Sequence, residues 1–433
     1  MARLAINGGP RLRTRPFHPW PVVEERDVQA VADVVRSGDW GRLRPGATRT
    51  REFEQRFAAY HDCRYGLCVS SGTAALEVAL VASGVDVGDE VIVPPYTFMA
   101  TATAVLQVGA VPVFVDVDPE TYNLDPGQIA AAVTEKTRAV IPVHFGGLPA
   151  DMDAINAVAR THGLRVIEDA AHAHGGIHAR GKLGSLSPVA AWSFQASKNL
   201  TSGEGGCLTT SDGAIYNRAI LYHDFWRGAV HREEDVDYLP GRVTFPVLSW
   251  NYRMPELCGA LLLSQLDRLE GWAARRAENA THLASRLAEI EGLSAVRVDP
   301  FVVRNAVHLF LFKYTGPEAF KGVGRETLIR ALVAEGVPVS AGYFAPVYKH
   351  PVFQRALEGA LRGGFPLTGS HYGRQMDYRA VVCPQAERLC AEHTLWIGQA
   401  PFLGTRQDMD DIAEAFVKVK TNADELAAAP ASV

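Results

Sequence analysis

Between Tyr65 and Ser211 the chain repeats one unit: a short apolar run, a turn, then a segment with helical spacing. The runs YGLCVS, EVIVP, VPVFVDV, RAVIPVHF, LRVIEDA, VAAWSFQ and GGCLTT read as strands, and several are continuously apolar rather than alternating. That pattern suits strands buried on both faces of a mainly parallel sheet covered by helices. Stretches such as TAALEVALVASG, TATAVLQVG, DPGQIAAAV and DMDAINAVARTHG supply the crossovers, several closed by a glycine. The expected fold class is α/β, with a large domain built on a seven-stranded, mainly parallel sheet.

After Met254 the pattern changes. PELCGALLLSQLDRLEGWAARRAENATHLASRLAEI has leucines at helical spacing and predicts a long helix interrupted near Gly271. We therefore place an N-terminal arm and large domain over 1–269 and a smaller α/β C-terminal domain over 270–433.

Ligands of open α/β sheets bind beyond the carboxyl ends of the strands, so the residues just after each run are where chemistry is expected. Gly72 and Thr73, in SGTAAL, sit where a strand meets a helix start, a position that offers unpaired amides to an anion or simply a serine-capped turn. Asp169 leaves the strand LRVIED as either a helix cap or a buried partner for a positive group, and Glu168 should face the opposite way. Lys198 follows VAAWSF and Ser193 in a turn that leads into glycines. Each feature alone has an ordinary structural explanation. Together, an anion cradle, a carboxylate and a lysine at strand exits of one sheet are what pyridoxal phosphate requires. His172, His174 and His178 also invite a metal-site reading, but histidine-rich turns are commonly solvated and no matching carboxylate spacing accompanies them, so no metal is expected.

Composition narrows the alternatives. Of the 433 residues 47% are hydrophobic and 21% charged, with a net charge of -5 and both signs interspersed, so no basic stripe points to nucleic acid. No apolar run reaches the length of a membrane span. Six scattered cysteines without a C-x-x-C pair, and an N-terminus lacking a secretory pattern, lead us to expect a cytoplasmic protein with free thiols.

The motifs SGTAAL, DEVIVPPYTFMATA, GAVPVFVDVDPETYNLDP, IPVHFGGLPADMD, VIEDAAHAHG, SFQASKNLTSGEGG and WNYRMPEL occur in an order and spacing that resemble the DegT/StrS-type sugar aminotransferases, fold-type-I pyridoxal phosphate enzymes. The resemblance covers the chain to about Leu269 and the remainder more weakly. It implies that Lys198 is the Schiff-base lysine and Asp169 the partner of the pyridine nitrogen. It also implies that His172 lies near the cofactor's phenolic oxygen, where many members have glutamine. Gly72, Thr73 and Ser193 would hold the phosphate, and Phe98 would stack on the ring. Asn251 and Arg253, in WNYRM, would reach the phosphate from a neighbouring subunit, which implies a homodimer. Cys258 and Gly259 depart from the family's usual glutamine and small residues, at a helix-packing position.

What the resemblance implies for function is ping-pong transamination from glutamine or glutamate to a cyclic ketone. Members acting on keto-cyclitols such as scyllo-inosose look nearest. The branch that includes 3-amino-5-hydroxybenzoate synthase comes second, and nucleotide-sugar aminotransferases third. Trp40, Arg42, His144 and Tyr343 are candidate substrate contacts. A carboxylated ring would call for an arginine clamp from Arg42, Arg44 or Arg227. A non-catalytic regulatory protein that keeps the pocket is the alternative from another class, and the intact Lys198, Asp169 and Ser193 speak against it.

Overall fold

The structure is a computed structural model that describes residues 3–224, 248–358, 364–368 and 371–427. Its larger sheet has seven strands: β1 (Tyr65–Val69), β2 (Glu90–Val93), β3 (Val111–Phe114), β4 (Thr137–Val140), β5 (Arg165–Asp169), β6 (Val189–Ser193) and β7 (Gly206–Thr210). Their spatial order is β1-β7-β6-β5-β4-β2-β3. β7 runs antiparallel to both neighbours, and the other pairings are parallel. Every residue of β2, β6 and β7 is buried, which explains their continuous apolar character. The carboxyl ends of β1 to β6 therefore open on one edge.

Helices α1 (Glu25–Ser37) and α2 (Arg49–Tyr60) precede the sheet. The crossovers α3 (Gly72–Ala82), α4 (Ala100–Gln107), α5 (Pro126–Ala132) and α6 (Met152–His162) connect its strands, and α7 (Gly213–His223) follows it. α3 is apolar on almost every side and buried along most of its length, as a helix packed inside a large domain must be. α6 is amphipathic; the Asp151 carboxylate caps its start by accepting from the Ala154 amide at 2.9 Å, and Gly163, at φ 67°, closes it.

The long helix α8 (Glu256–Ala288) is continuous through Gly271, contrary to the expected interruption. A helical glycine costs about 1 kcal/mol relative to alanine, and the packing of α1 and α2 along α8 outweighs it. Leu262, Leu266 and Leu269 of this helix lie in one core, and Leu283 and Leu287 in another, so α8 runs across the division drawn at 269 and 270.

The second core surrounds a four-stranded antiparallel sheet of β8 (Leu293–Ala295), β9 (Leu309–Tyr314), β10 (Val339–Ser340) and β11 (Thr394–Gly398), in the order β8-β9-β11-β10. α9 (Arg325–Glu335) and α10 (Arg406–Thr421) cover it. Leu4, Leu12 and Phe17 of the N-terminal arm pack here rather than on the larger sheet. Buried Glu335 holds the arm by accepting from the Ala5 and Leu12 amides, both at 2.9 Å. In the opposite sense, Tyr348, Phe353, Tyr372 and Tyr378 return to the core of the larger sheet.

Candidate active site

A cavity of about 520 Å³ opens at the carboxyl edge of the larger sheet. β1 delivers Ser71, Gly72 and Thr73; the segment after β2 delivers Thr97, Phe98 and, in the first turn of α4, Thr101. β5 ends on Asp169, with Ala171 and His172 beyond it. β6 ends on Ser193, and its following turn carries Gln195, Ser197 and Lys198, with Glu204 just before β7. His308, Leu309, Tyr343 and Trp396 close the cavity from the C-terminal part of the chain.

At the start of α3 the Ser71 hydroxyl accepts from the Ala74 amide at 3.1 Å, and the Ser71 carbonyl takes the Ala75 amide. The Gly72 and Thr73 amides have no intrahelical acceptor and sit at the positive end of the helix dipole. A Cβ on Gly72 would lie 2.7 Å from Ser193 Cβ, so only glycine lets the end of β6 approach this helix start. Ser193 Oγ accepts from the Gln195 amide at 3.3 Å, which leaves its O–H to donate. The cradle suits a phosphate.

Asp169 is 5% exposed and makes no ion pair among the described residues. Its Oδ2 accepts from Thr101 Oγ1 at 2.8 Å and its Oδ1 from the Ala171 amide at 3.2 Å. Burial pushes this carboxyl above the usual aspartate range, against the pull of the Thr101 and Ala171 hydrogen bonds and the nearby Lys198. Burial likewise pushes the Lys198 amine down to about 8, with Asp169 opposing the shift. A lysine so placed yields its free amine at a much lower pH than a solvated one does. Phe98, 61% exposed, presents its ring at the cavity.

His172, His174 and His178 are all buried, not solvated as histidine-rich turns commonly are. Burial holds His172 and His174 well toward the neutral form and shifts His178 in the same direction. His174 packs against Phe57, Trp192 and Phe194, and His178 stacks on Phe301. Among the described residues no group of three or more His, Cys, Asp or Glu side chains is placed to hold a metal ion.

The cavity thus brings together Gly72, Thr73, Phe98, Asp169, His172, Ser193, Lys198 and Tyr343. Three of the four candidate substrate contacts lie elsewhere. Arg42 is buried in an ion pair with Glu54, which also accepts from the Cys68 amide at 2.6 Å. His144 Nε2 meets Glu168 at 2.9 Å, and both side chains are fully buried on the far face of β5. Trp40 is half exposed and donates its indole N–H to the Val35 carbonyl at 3.1 Å. Arg44 is exposed, and Arg227 lies outside the described residues. Asn251 is exposed and does not line its own chain's cavity. Arg253 Nη1 pairs with Asp224 at 2.5 Å.

Thr101, Glu204, His308 and Trp396 also line the cavity, and the sequence did not single them out. Thr101 had a signal, since it follows Phe98 by three residues and a helix start brings such positions to one side. His308 and Trp396 sit within apolar strand-like runs and had none.

The buried carboxylate, the amine of lowered pKa and the anion cradle at the start of α3 fit pyridoxal phosphate. The sequence matches the DegT/DnrJ/EryC1/StrS aminotransferase family over residues 21–377. An L-glutamine:2-deoxy-scyllo-inosose aminotransferase of Streptoalloteichus tenebrarius is 37% identical, over 98% of this chain and 99% of its own. The crystal structure of 3-amino-5-hydroxybenzoic acid synthase superposes with a TM-score of 0.79 at 32% identity, covering 95% of this chain and 100% of that one. The ntda protein of Bacillus subtilis, solved with bound PMP, has the same fold at 23% identity (TM-score 0.75; 95% of this chain, 87% of that one). A family match over most of the length, with relatives aligned nearly end to end, establishes that the chain belongs to the DegT/DnrJ/EryC1/StrS aminotransferases and is a pyridoxal phosphate-dependent transaminase.

Proposed function

We propose that the protein transfers the α-amino group of glutamine to a keto-cyclitol, a polyhydroxylated six-membered ring ketone, in aminocyclitol formation, and that it works as a homodimer. The observation that carries this reading is the meeting of Lys198, Asp169 and the α3 cradle in one cavity, in a chain whose relative is named for glutamine and a deoxy-inosose. The Arg42–Glu54 ion pair takes up one of the three arginines, Arg42, Arg44 and Arg227, that a carboxylated ring would call for.

Bound pyridoxal phosphate supplies an aldehyde that carries the amine and a ring that withdraws electrons from the reacting carbon. The residues of the chain do the rest. The Gly72 and Thr73 amides and the Ser193 hydroxyl would hold the phosphate. Asp169 would face the ring nitrogen, its ionised form favoured once a cation lies beside it. Phe98 would cover the ring face and exclude water from it. Lys198 Nζ would take the proton from the donor's Cα and pass it to the cofactor-side carbon of the same C–N unit, and would run the transfer in reverse on the acceptor leg. Asn251, exposed at the surface, would complete the phosphate site of a partner subunit. Incubating the protein with glutamine, pyridoxal phosphate and scyllo-inosose or its 2-deoxy form tests the assignment: an aminocyclitol product supports it, and no product from either ketone, with turnover of a nucleotide-linked keto-sugar instead, overturns it.

A further inference from the structure

The His172 and His308 rings lie face to face over the inner wall of the cavity, with centroids 4.1 Å apart and planes tilted by 34°. Their hydrogen bonds fix different nitrogens. The Gly146 amide donates to His172 Nδ1 at 3.3 Å, so the neutral ring carries its proton on Nε2. His308 Nδ1 meets Asn199 Oδ1 at 3.4 Å. The orientation of that amide is set by its other end, where Asn199 Nδ2 donates to the Ala306 carbonyl at 2.7 Å; turning the amide over would set two oxygens against each other. Asn199 therefore offers an acceptor to His308, and His308 must carry its proton on Nδ1.

One residue holds the pair in register. The Gly146 N–H reaches His172, and the Gly146 carbonyl accepts from the His308 backbone amide at 2.8 Å. Gly146 has φ 64°, and a Cβ there would meet Leu311 Cδ1 at 2.8 Å and the Leu309 carbonyl at 3.0 Å, so this linkage requires glycine. Neither His172 Nε2 nor His308 Nε2 has a partner among the described residues, and neither is sealed in the interior as both ring nitrogens of His174 are. Burial favours the neutral form of both rings, as do the positive or basic groups around them: Lys198 and His174 beside both, and Arg276 beside His308.

We propose that Asn199 and Gly146 lock the stacked imidazoles in opposite tautomers, and that the bare Nε2 of His308 accepts a hydrogen bond from an uncharged O–H or N–H donor of the bound substrate. His308 then acts as a specificity-determining residue and Asn199, next to Lys198, as a positioning residue behind it. A donor at this point comes from a ring hydroxyl of the ketone or from the carboxamide of glutamine; a carboxylate offers only lone pairs to a lone pair. The proposal rests on the aminotransferase reading for the identity of these substrates, whereas the tautomers do not depend on it.

The test is ¹⁵N NMR of histidine-labelled protein, with and without pyridoxal phosphate, assigned by difference with His308→Gln and His172→Gln. The expected spectrum has His308 protonated on Nδ1 alone and His172 on Nε2 alone. In the separate half-reactions His308→Phe should raise KM about five- to ten-fold, the loss of one neutral hydrogen bond. A rise confined to the glutamine leg assigns the carboxamide, and one confined to the ketone leg assigns a hydroxyl. Asn199→Leu removes the acceptor and should let the His308 proton move to Nε2 in the same ¹⁵N spectrum, raising the same KM. A proton on His308 Nε2 in the wild type, or a His308→Phe variant with both KM values unchanged, would overturn the proposal. Should the wild type turn over neither substrate, the aminotransferase reading fails, while calorimetric binding of glutamine and of scyllo-inosose to wild type and His308→Phe still decides the role of the acceptor.

Discussion

Thr101→Val isolates what holds Asp169 ready for its partner. The hydroxyl donates to Asp169 Oδ2 at 2.8 Å and touches Thr97 Oγ1 at 3.1 Å, with both threonines buried. Because Thr101 spends its proton on the carboxylate, Thr97 must donate to Thr101, so the two hydroxyls form a short relay ending on Asp169. Valine keeps the shape and removes the donor. A hydrogen bond to a charged group contributes about 1.5–3 kcal/mol, and a pKa unit corresponds to about 1.4 kcal/mol. The Asp169 carboxyl, already raised by burial, should therefore rise by about one to two units more in the cofactor-free variant. Pairing with a protonated ring nitrogen needs the ionised carboxylate, so pyridoxal phosphate affinity should fall about ten- to hundred-fold at pH values below the titration of this carboxyl, with the gap narrowing as pH rises through it. Fluorescence titration of the cofactor-free protein at several pH values measures this, with Thr101→Ser as the control that keeps the donor. Wild-type affinity in Thr101→Val at every pH, or a Thr101→Ser variant as weak as the valine, would refute the hydroxyl's role.

Three further outcomes are expected. Lys198 has its folded pKa lowered to about 8 from 10.5, so between those values the unfolded chain binds more protons; cofactor-free stability should rise with pH across that window, and Lys198→Met should abolish the rise in urea unfolding curves. Gly72→Ala sets a Cβ 2.7 Å from Ser193 Cβ and should cost about 1–3 kcal/mol of stability together with a lower affinity for pyridoxal phosphate, read by thermal melts and titration. Arg42→Met leaves Glu54 buried without its cation and should cost about 3–5 kcal/mol in urea unfolding, while KM for the ketone in the remaining folded enzyme stays unchanged.

The strand exits were legible because strands buried on both faces announce themselves as continuous apolar runs, and a polar residue ending such a run has few places to go. That is how Gly72, Asp169, Ser193 and Lys198 could be placed at one sheet edge from sequence. Arg42 misled because GRLRPG reads as a solvated loop, and its partner on α2, Glu54, lies twelve residues away with no pattern joining them. His144 misled in another way: it follows an apolar run like a site residue, but it faces Glu168 on the opposite side of β5. His308 and Trp396 reach the cavity only through the pairing of β9 with β11, a long-range arrangement that local periodicity does not encode. Gly271 was expected to break a helix that tertiary packing carries straight through.

The most direct measurement is the visible absorption of the wild type and of Lys198→Ala, each incubated with pyridoxal phosphate and then with glutamine. Glutamine should remove a visible band of the wild type, and scyllo-inosose added afterwards should restore it, while the variant has no such cycle. A wild-type protein that binds the cofactor and leaves its band unchanged with both glutamine and glutamate would contradict transamination at this site.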